Sequence, residues 1–267
     1  MISITSHNSD ITRGSCQKQK PPAGLKPWAV FLWLLIWQLA SWKLNQPILL
    51  VSPAAVLKRL FELTLTTAFW KSIGFSLLRI STGFLCGAFA GTLLAALSSR
   101  FKRIRELFTP LILLAKTIPV ASFIILVLIW IPSRNLSVFI SFLMVLPVIY
   151  TNVLDGICST NRELLEMAQV FSLSSWRKIR YIYISQVLPF FSSACTISLG
   201  LCWKAGIAAE VIGIPEGSIG ENLYNAKVYI DTPDLFAWTL VIVIISVIFE
   251  KFVLFLLKLL VHRLQRL

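Results

Sequence analysis

Thr160–Pro189 reads TNRELLEMAQVFSLSSWRKIRYIYISQVLP and is flanked on both sides by long apolar runs. Thr160 and Glu163 have the spacing of a capping box, which starts a helix by satisfying two of its orphan backbone donors. Along that helix Leu164, Ala168 and Phe171 fall at i, i+4 and i+7 with Leu165 alongside, while Arg162, Glu163 and Glu166 point elsewhere. Ser172 interrupts the pattern. Ser174 or Ser175 then caps a second helix that carries Trp176, Arg177, Lys178 and Arg180. An amphipathic hairpin between apolar runs reads as a structured loop of a membrane bundle. It serves either as a knob for a partner or as a segment lying on anionic headgroups.

Moving outward, the composition agrees. Of 267 residues, 57% are hydrophobic and 14% charged, with a mean hydropathy of +0.79, against roughly 45–50% apolar and about 25% charged in a soluble domain. Runs long enough to cross a hydrocarbon core of about 30 Å are expected at Trp28–Trp42, Ser72–Leu97, Leu107–Ile131, Leu136–Val153, Ile182–Ile207 and Leu235–Leu257. The first is short and tryptophan-rich, and without a small-residue cleavage pattern it reads as a retained helix. Gly83, Gly87 and Gly91 repeat every fourth residue, a pattern that lets a second helix approach closely. Pro110, Pro119 and Pro147 should kink the third and fourth spans. Between the first two spans, Ser52-Pro53 followed by Val56, Leu60 and Leu63 predicts a helix on the membrane surface.

The net charge of +13 comes in short clusters between apolar runs, so nucleic acid is not the expected partner. With both termini in the cytoplasm, sixteen lysines and arginines fall inside: four each in the tail of residues 1–27, in Arg100–Arg105, in Arg162–Arg180 and in Lys251–Arg266. Six fall outside. That asymmetry favours a multi-pass inner-membrane protein with both termini inside. Arg79, Lys116 and Lys204 lie within expected spans. An ammonium there costs about 2.5–3.5 kcal/mol on insertion scales, so Lys116 and Lys204 should face water or the bundle interior. They would contact an anionic cargo beside Trp203, pair with Glu210, or snorkel to an interface. The five cysteines form no CxxC pair and are expected to pack in the core. No metal cluster is expected, and no GxxxxGK[ST] phosphate loop is present, so the energy for any transport must come from a partner.

EMAQVFSLSSWRKIRYIYISQVLP, Glu166–Pro189, resembles the EAA loop of permeases of binding-protein-dependent ABC importers, in the nitrate, sulfonate and taurine branch. Glu166, Ala168, Leu188 and Pro189 match that loop. Met167 replaces an alanine, Ser172 stands at the loop's glycine, and Ser185 stands at its proline. SPAAVL (Ser52–Leu57), SLLRISTGF (Ser76–Phe84), AKTIPVAS (Ala115–Ser122) and AAEVIG (Ala208–Gly213) are similar to the same branch in the same order. The resemblance implies an all-α integral membrane protein: a type I importer permease fold with about six transmembrane helices over residues 28–267 and a cytoplasmic coupling helix within residues 154–181. It also implies ATPase docking by Leu164, Glu166, Ala168, Phe171 and Ser172, two ATPase subunits that bind and hydrolyse ATP, and a second permease copy. An extracytoplasmic binding protein would deliver a small solute. On this reading the chain is not itself an enzyme and holds no cofactor. Its rival is an ion-gradient-driven transporter or channel, which would need an intramembrane carboxylate such as Glu210.

Overall fold

The computed structural model describes residues 27–44, 46 and 49–265; the polar tail expected before the first span lies outside them except for Pro27. The helices are α1 (Pro27–Leu44), α2 (Pro53–Thr64), α3 (Thr67–Arg100), α4 (Lys102–Thr117), α5 (Val120–Leu128), α6 (Ser133–Cys158), α7 (Arg162–Val170), α8 (Ser175–Lys178), α9 (Ile184–Gly213), α10 (Ile219–Val228) and α11 (Thr232–Gln265). A π turn, Ile179–Tyr183, makes α8 and α9 one continuous helix from Ser175 to Gly213. No strand occurs among the described residues.

Among the described residues four helices are long and apolar enough to cross a bilayer: α3, α6, α8–α9 and α11. A fifth crossing exists if α4 and α5 are taken together. They meet at 107°, so the expected third span is broken where only a kink was anticipated. Pro119 accounts for the break. Ile118, the residue before it, is held extended at φ −67°, ψ 130°, as the proline ring demands, and α5 starts immediately after. The first expected span is helical over the 18 residues of α1, at the short end of the roughly 17–25 residues a crossing takes, and it is not among these apolar helices. Pro147 sits inside α6 and is buried.

The core is a stack of α3, α6 and α9. A methyl group at Gly83 would lie 2.7 Å from Ser141 Cβ, and one at Gly87 or Gly91 would lie 2.9 Å from the carbonyl oxygen of Phe142 or Leu146. The glycine repeat is therefore a contact of backbone on backbone. Gly206 of α9 repeats the device, with Ile80 Cγ1 at 2.7 Å and Ser141 Oγ at 2.8 Å from its absent methyl. Ser141 Oγ donates to the Cys202 carbonyl at 3.2 Å across the same seam. Ile80, Phe84, Val145, Ile149, Leu199 and Trp203 fill the space between these helices. Cys195 and Cys202 are buried as expected, whereas Cys86 and Cys158 are exposed and take no part in the core.

α2 begins where Ser52-Pro53 predicted, with Ser52 Oγ accepting the Ala55 N–H at 3.3 Å. Its Val56, Leu60 and Leu63 pack on Phe236, Ala237 and Leu240 of α11. Arg59 clamps the pair: Nε donates to Asp234 Oδ1, Nη2 to Asp234 Oδ2 at 3.1 Å, and Nη1 to Glu62 at 3.1 Å. The Asp234 carboxylate pushes the Arg59 guanidinium above its already high range, against the opposing effect of burial.

The seam makes a testable distinction between glycines. Gly83→Ala forces a methyl into α6 and should destabilise the protein by about 1–3 kcal/mol, the cost of overpacking. Gly200, mid-helix in α9, has nothing within 4 Å of its absent methyl, so Gly200→Ala should instead stabilise by about 1 kcal/mol through helix propensity. Thermal unfolding of the two variants in detergent, followed by circular dichroism, should show melting temperatures moving in opposite directions.

Candidate coupling face and membrane-embedded polar network

α7 lies between α6 and α8–α9, where the amphipathic pattern placed a helix. Asn161, not Thr160, caps it: Asn161 Oδ1 accepts the Glu163 N–H at 2.9 Å. The Thr160 hydroxyl instead donates back to the Gly156 carbonyl at 3.3 Å, finishing α6. Ala168 is fully buried and Leu164 and Leu165 are half-buried, while Glu166 is exposed. Phe171 does not share their face. α7 ends at Val170, and Phe171 at φ −81°, ψ 8° has left helical geometry. Its ring is 70% exposed beside Val170 at 81%, with Met167 also outward. Met167, Val170 and Phe171, and likewise Trp176 of α8, thus expose apolar side chains that water does not favour.

Ser172 makes the turn. It adopts φ +49°, the left-handed conformation that glycine enters freely and other residues enter at a cost. Its N–H donates to the Gln169 carbonyl at 2.9 Å and the Leu173 N–H to the Ala168 carbonyl at 3.0 Å. These two bonds close the helix with the Schellman pattern. The second helix expected at Ser174–Ser175 does start there, with Ser174 at its N-cap. It then runs through the π turn into the long span, so the expected start at Ile182 moves back to Ser175.

The second polar feature lies near the other end of α9. Glu210 is 1% exposed. Its Oε2 accepts from Ser76 Oγ of α3 at 2.6 Å and from the Gly220 N–H of α10 at 3.4 Å. Ser76 Oγ in turn accepts the Ile219 N–H at 3.0 Å. Asn222 Nδ2 donates to Ser72 Oγ at 3.0 Å and to the Ser218 carbonyl at 2.8 Å. A methyl on Gly220 would sit 2.6 Å from the Val211 nitrogen, so α10 is seated directly on the backbone of α9. One carboxylate therefore joins three helices.

The other expected pathway residues do not gather around it. Trp203 is buried in the core against Phe249, ring centroids 5.8 Å apart. Lys204 is exposed on a different face of α9 and forms no ion pair with Glu210. Lys116 lies in the last turn of α4 and donates to Thr151 Oγ1 of α6 at 3.3 Å. α10 went unread in the sequence although its start carries a signal. Ser218 and Glu221 have the spacing of a capping box: Ser218 Oγ accepts the Glu221 N–H at 2.9 Å, and Glu221 Oε2 accepts the N–H of Gly217, one residue before the cap, at 2.6 Å.

The described residues thus form an all-helical bundle with an amphipathic helix set between two of its spans. Residues 83–266 match the family described as binding-protein-dependent transport system inner membrane component, and the chain belongs to it. The protein is thus a multi-pass component of the inner membrane in a system that depends on a binding protein. It is similar to the formylaminopyrimidine transport permease protein ThiX of Halalkalibacterium halodurans, 27% identical over 215 residues that cover 80% of this chain and 85% of that protein. It is also similar to the taurine transport system permease protein TauC of Escherichia coli, 24% identical over 220 residues that cover 80% of each.

Ser76→Ala removes the Glu210 donor and the Ile219 acceptor together and should cost about 1–3 kcal/mol, the range for a buried polar group left unsatisfied. Ser72→Ala loses one part-buried bond and should cost about 0.5–1.5 kcal/mol. Melting temperatures should fall in that order. Limited proteolysis should cut Ser76→Ala faster within residues 214–231, the segment the network holds down.

Proposed function

We propose that the chain is the membrane-spanning subunit of an ATP-driven importer, and that α7 is the helix that docks on the ATPase. The observation that carries the reading is the exposed set Met167, Val170 and Phe171 at the C-terminal end of a helix between two spans of a chain in this family. Apolar side chains so displayed gain from a partner groove. Glu166 and Ser172 border the set, and Leu164 and Ala168 support it from the buried side. Two ATPase subunits bind and hydrolyse ATP, an extracytoplasmic binding protein delivers cargo, and a second copy of this chain completes the pathway. Both termini are cytoplasmic. The cargo is a small solute: a taurine-like anion or a small heterocycle, the kinds named for the relatives, or nitrate, as the resemblance of the loop implies. The rival ion-gradient mechanism requires a carboxylate that is released during transport. The engagement of Glu210 by Ser76 and Gly220 favours a fixed structural role.

Two experiments test the reading. Val170→Asp and Phe171→Asp should each reduce co-purification of the ATPase subunit at least tenfold at unchanged membrane abundance, because a charge replaces buried contact area. Ser172→Gly, which relieves a left-handed strain of about 1 kcal/mol, should retain full co-purification. Normal co-purification of both aspartate variants would return α7 to lipid contact. For orientation, single cysteines at the exposed positions Glu216 and Glu163 in a cysteine-free background should differ: an impermeant maleimide should label Glu216→Cys on intact cells and Glu163→Cys only after permeabilisation.

A further inference from the structure

The coupling face leaves one charged cluster unused. A cavity of about 370 Å³ opens between α3 and α6, lined among others by Phe75, Arg79, Thr82, Arg134, Asn135 and Val138. That volume falls within the roughly 300–1,000 Å³ of small-ligand sites. Two guanidiniums line it and no carboxylate does. Among the described residues the only ion pairs are those of Arg59, so neither Arg79 nor Arg134 is neutralised by a bonded acid. Glu210 lies within electrostatic reach of Arg79, but no ion pair joins the two side chains.

The cluster is held in place. Arg79 Nη1 donates to Asn135 Oδ1 at 3.2 Å, and its guanidinium carbon stands 4.4 Å from the centroid of the Phe75 ring. The cation–π contact fixes the plane of the fork. It leaves the other Arg79 N–H groups and the Asn135 amide N–H groups as open donors. Arg134 is close enough for Arg79 to feel its charge, a repulsion that a bound anion would reverse. The cavity also borders the first turn of α6, where the helix dipole adds positive potential. Thr82 contributes no donor, because its hydroxyl is bonded to the Leu78 carbonyl at 2.7 Å.

We infer that this cavity is a receptor for a tetrahedral oxyanion, a sulfonate or a phosphate, held by Arg79, Arg134 and the Asn135 amide. Planar guanidinium forks match such oxygens in pairs. The same chemistry would serve a free sulfonate solute or the phosphate of a lipid headgroup. That the anion is cargo rests on the importer reading; the preference of the cavity for oxyanions does not.

The test is equilibrium binding of ³⁵S-labelled methanesulfonate to the purified full chain in phosphatidylcholine liposomes, repeated with one lipid in three replaced by phosphatidylglycerol. Saturable binding is expected. Arg79→Gln and Arg134→Gln should each weaken it at least tenfold, Arg79→Lys should weaken it less, and Lys227→Gln should leave it unchanged. Arg134 is exposed, so its variant tests the site without burdening the fold, and size-exclusion profiles check the others. Methanesulfonate binding that persists with phosphatidylglycerol identifies a free sulfonate. Binding displaced by that lipid, with retained lipid lost in both glutamine variants by native mass spectrometry, identifies a headgroup. No saturable binding, or binding that survives both glutamine substitutions, overturns the site. The same variants should keep the ATPase bound, so failure here is separable from failure of the importer reading.

Discussion

At Gly83, Gly87 and Gly91, where α3 meets α6, there is no room for a side chain, and this close approach sets the geometry of everything around it. In a bilayer, lipid is as apolar as leucine, so helices gain little by merely hiding apolar surface from one another; they associate through close packing and interhelical hydrogen bonds. Gly83, Gly87 and Gly91 bring backbone to backbone over two turns of helix. With the two helices at that separation, Ser141 can reach the Cys202 carbonyl and Gly206 can lie on Ile80, which seats α9 in the groove between them. Ser76 and Arg79 lie on the stretch of α3 just before the glycines. The same approach therefore brings Ser76 to Glu210 and Arg79 to Asn135.

How much of this could be read beforehand follows from the range of each signal. The glycine repeat and the Ser52-Pro53 start were legible because each is a local pattern with one physical meaning. The replacement of the loop's glycine by Ser172 was legible, but the geometry of the turn was not: Ser172 keeps a positive φ. The proline at 119 announced an irregularity, but not its angle of 107°, which depends on how α5 packs Ile124 and Val127 against α6 and α9.

The functional residues were less legible because a periodic pattern presumes that the helix continues. Leu164, Ala168 and Phe171 share a face only if residue 171 is helical, and it is the first residue that is not. Its ring consequently turns toward solvent with Val170, and the outward set becomes Met167, Val170 and Phe171. Trp203 and Lys204 were grouped because they are neighbours in sequence. Adjacent helical residues point about 100° apart, which puts one in the core and the other outside. α10 is short and polar, so it lacked the apolar periodicity on which the search for helices relied, although Ser218 and Glu221 marked its start.

These two ends of the molecule are linked by one rod. From Ser175 to Gly213 the chain is a single 39-residue helix, on the order of 58 Å long at 1.5 Å per residue. The Ser172 turn and α7 are attached at one end; Glu210 is near the other, tied to α3 by Ser76 and capped by α10. If an ATPase moves α7, a rod of this kind carries the displacement across the membrane without needing a chain of separate contacts. Its compliant points are the π turn at Ile179–Tyr183 and Pro189 just beyond it, both where regular helical hydrogen bonding is interrupted. Beyond them the rod is bonded to α6 through Ser141 and to α3 through Ser76. Tilting α9 would therefore drag the stack, and with it the wall of the cavity that holds Arg79 and Arg134, instead of bending within it.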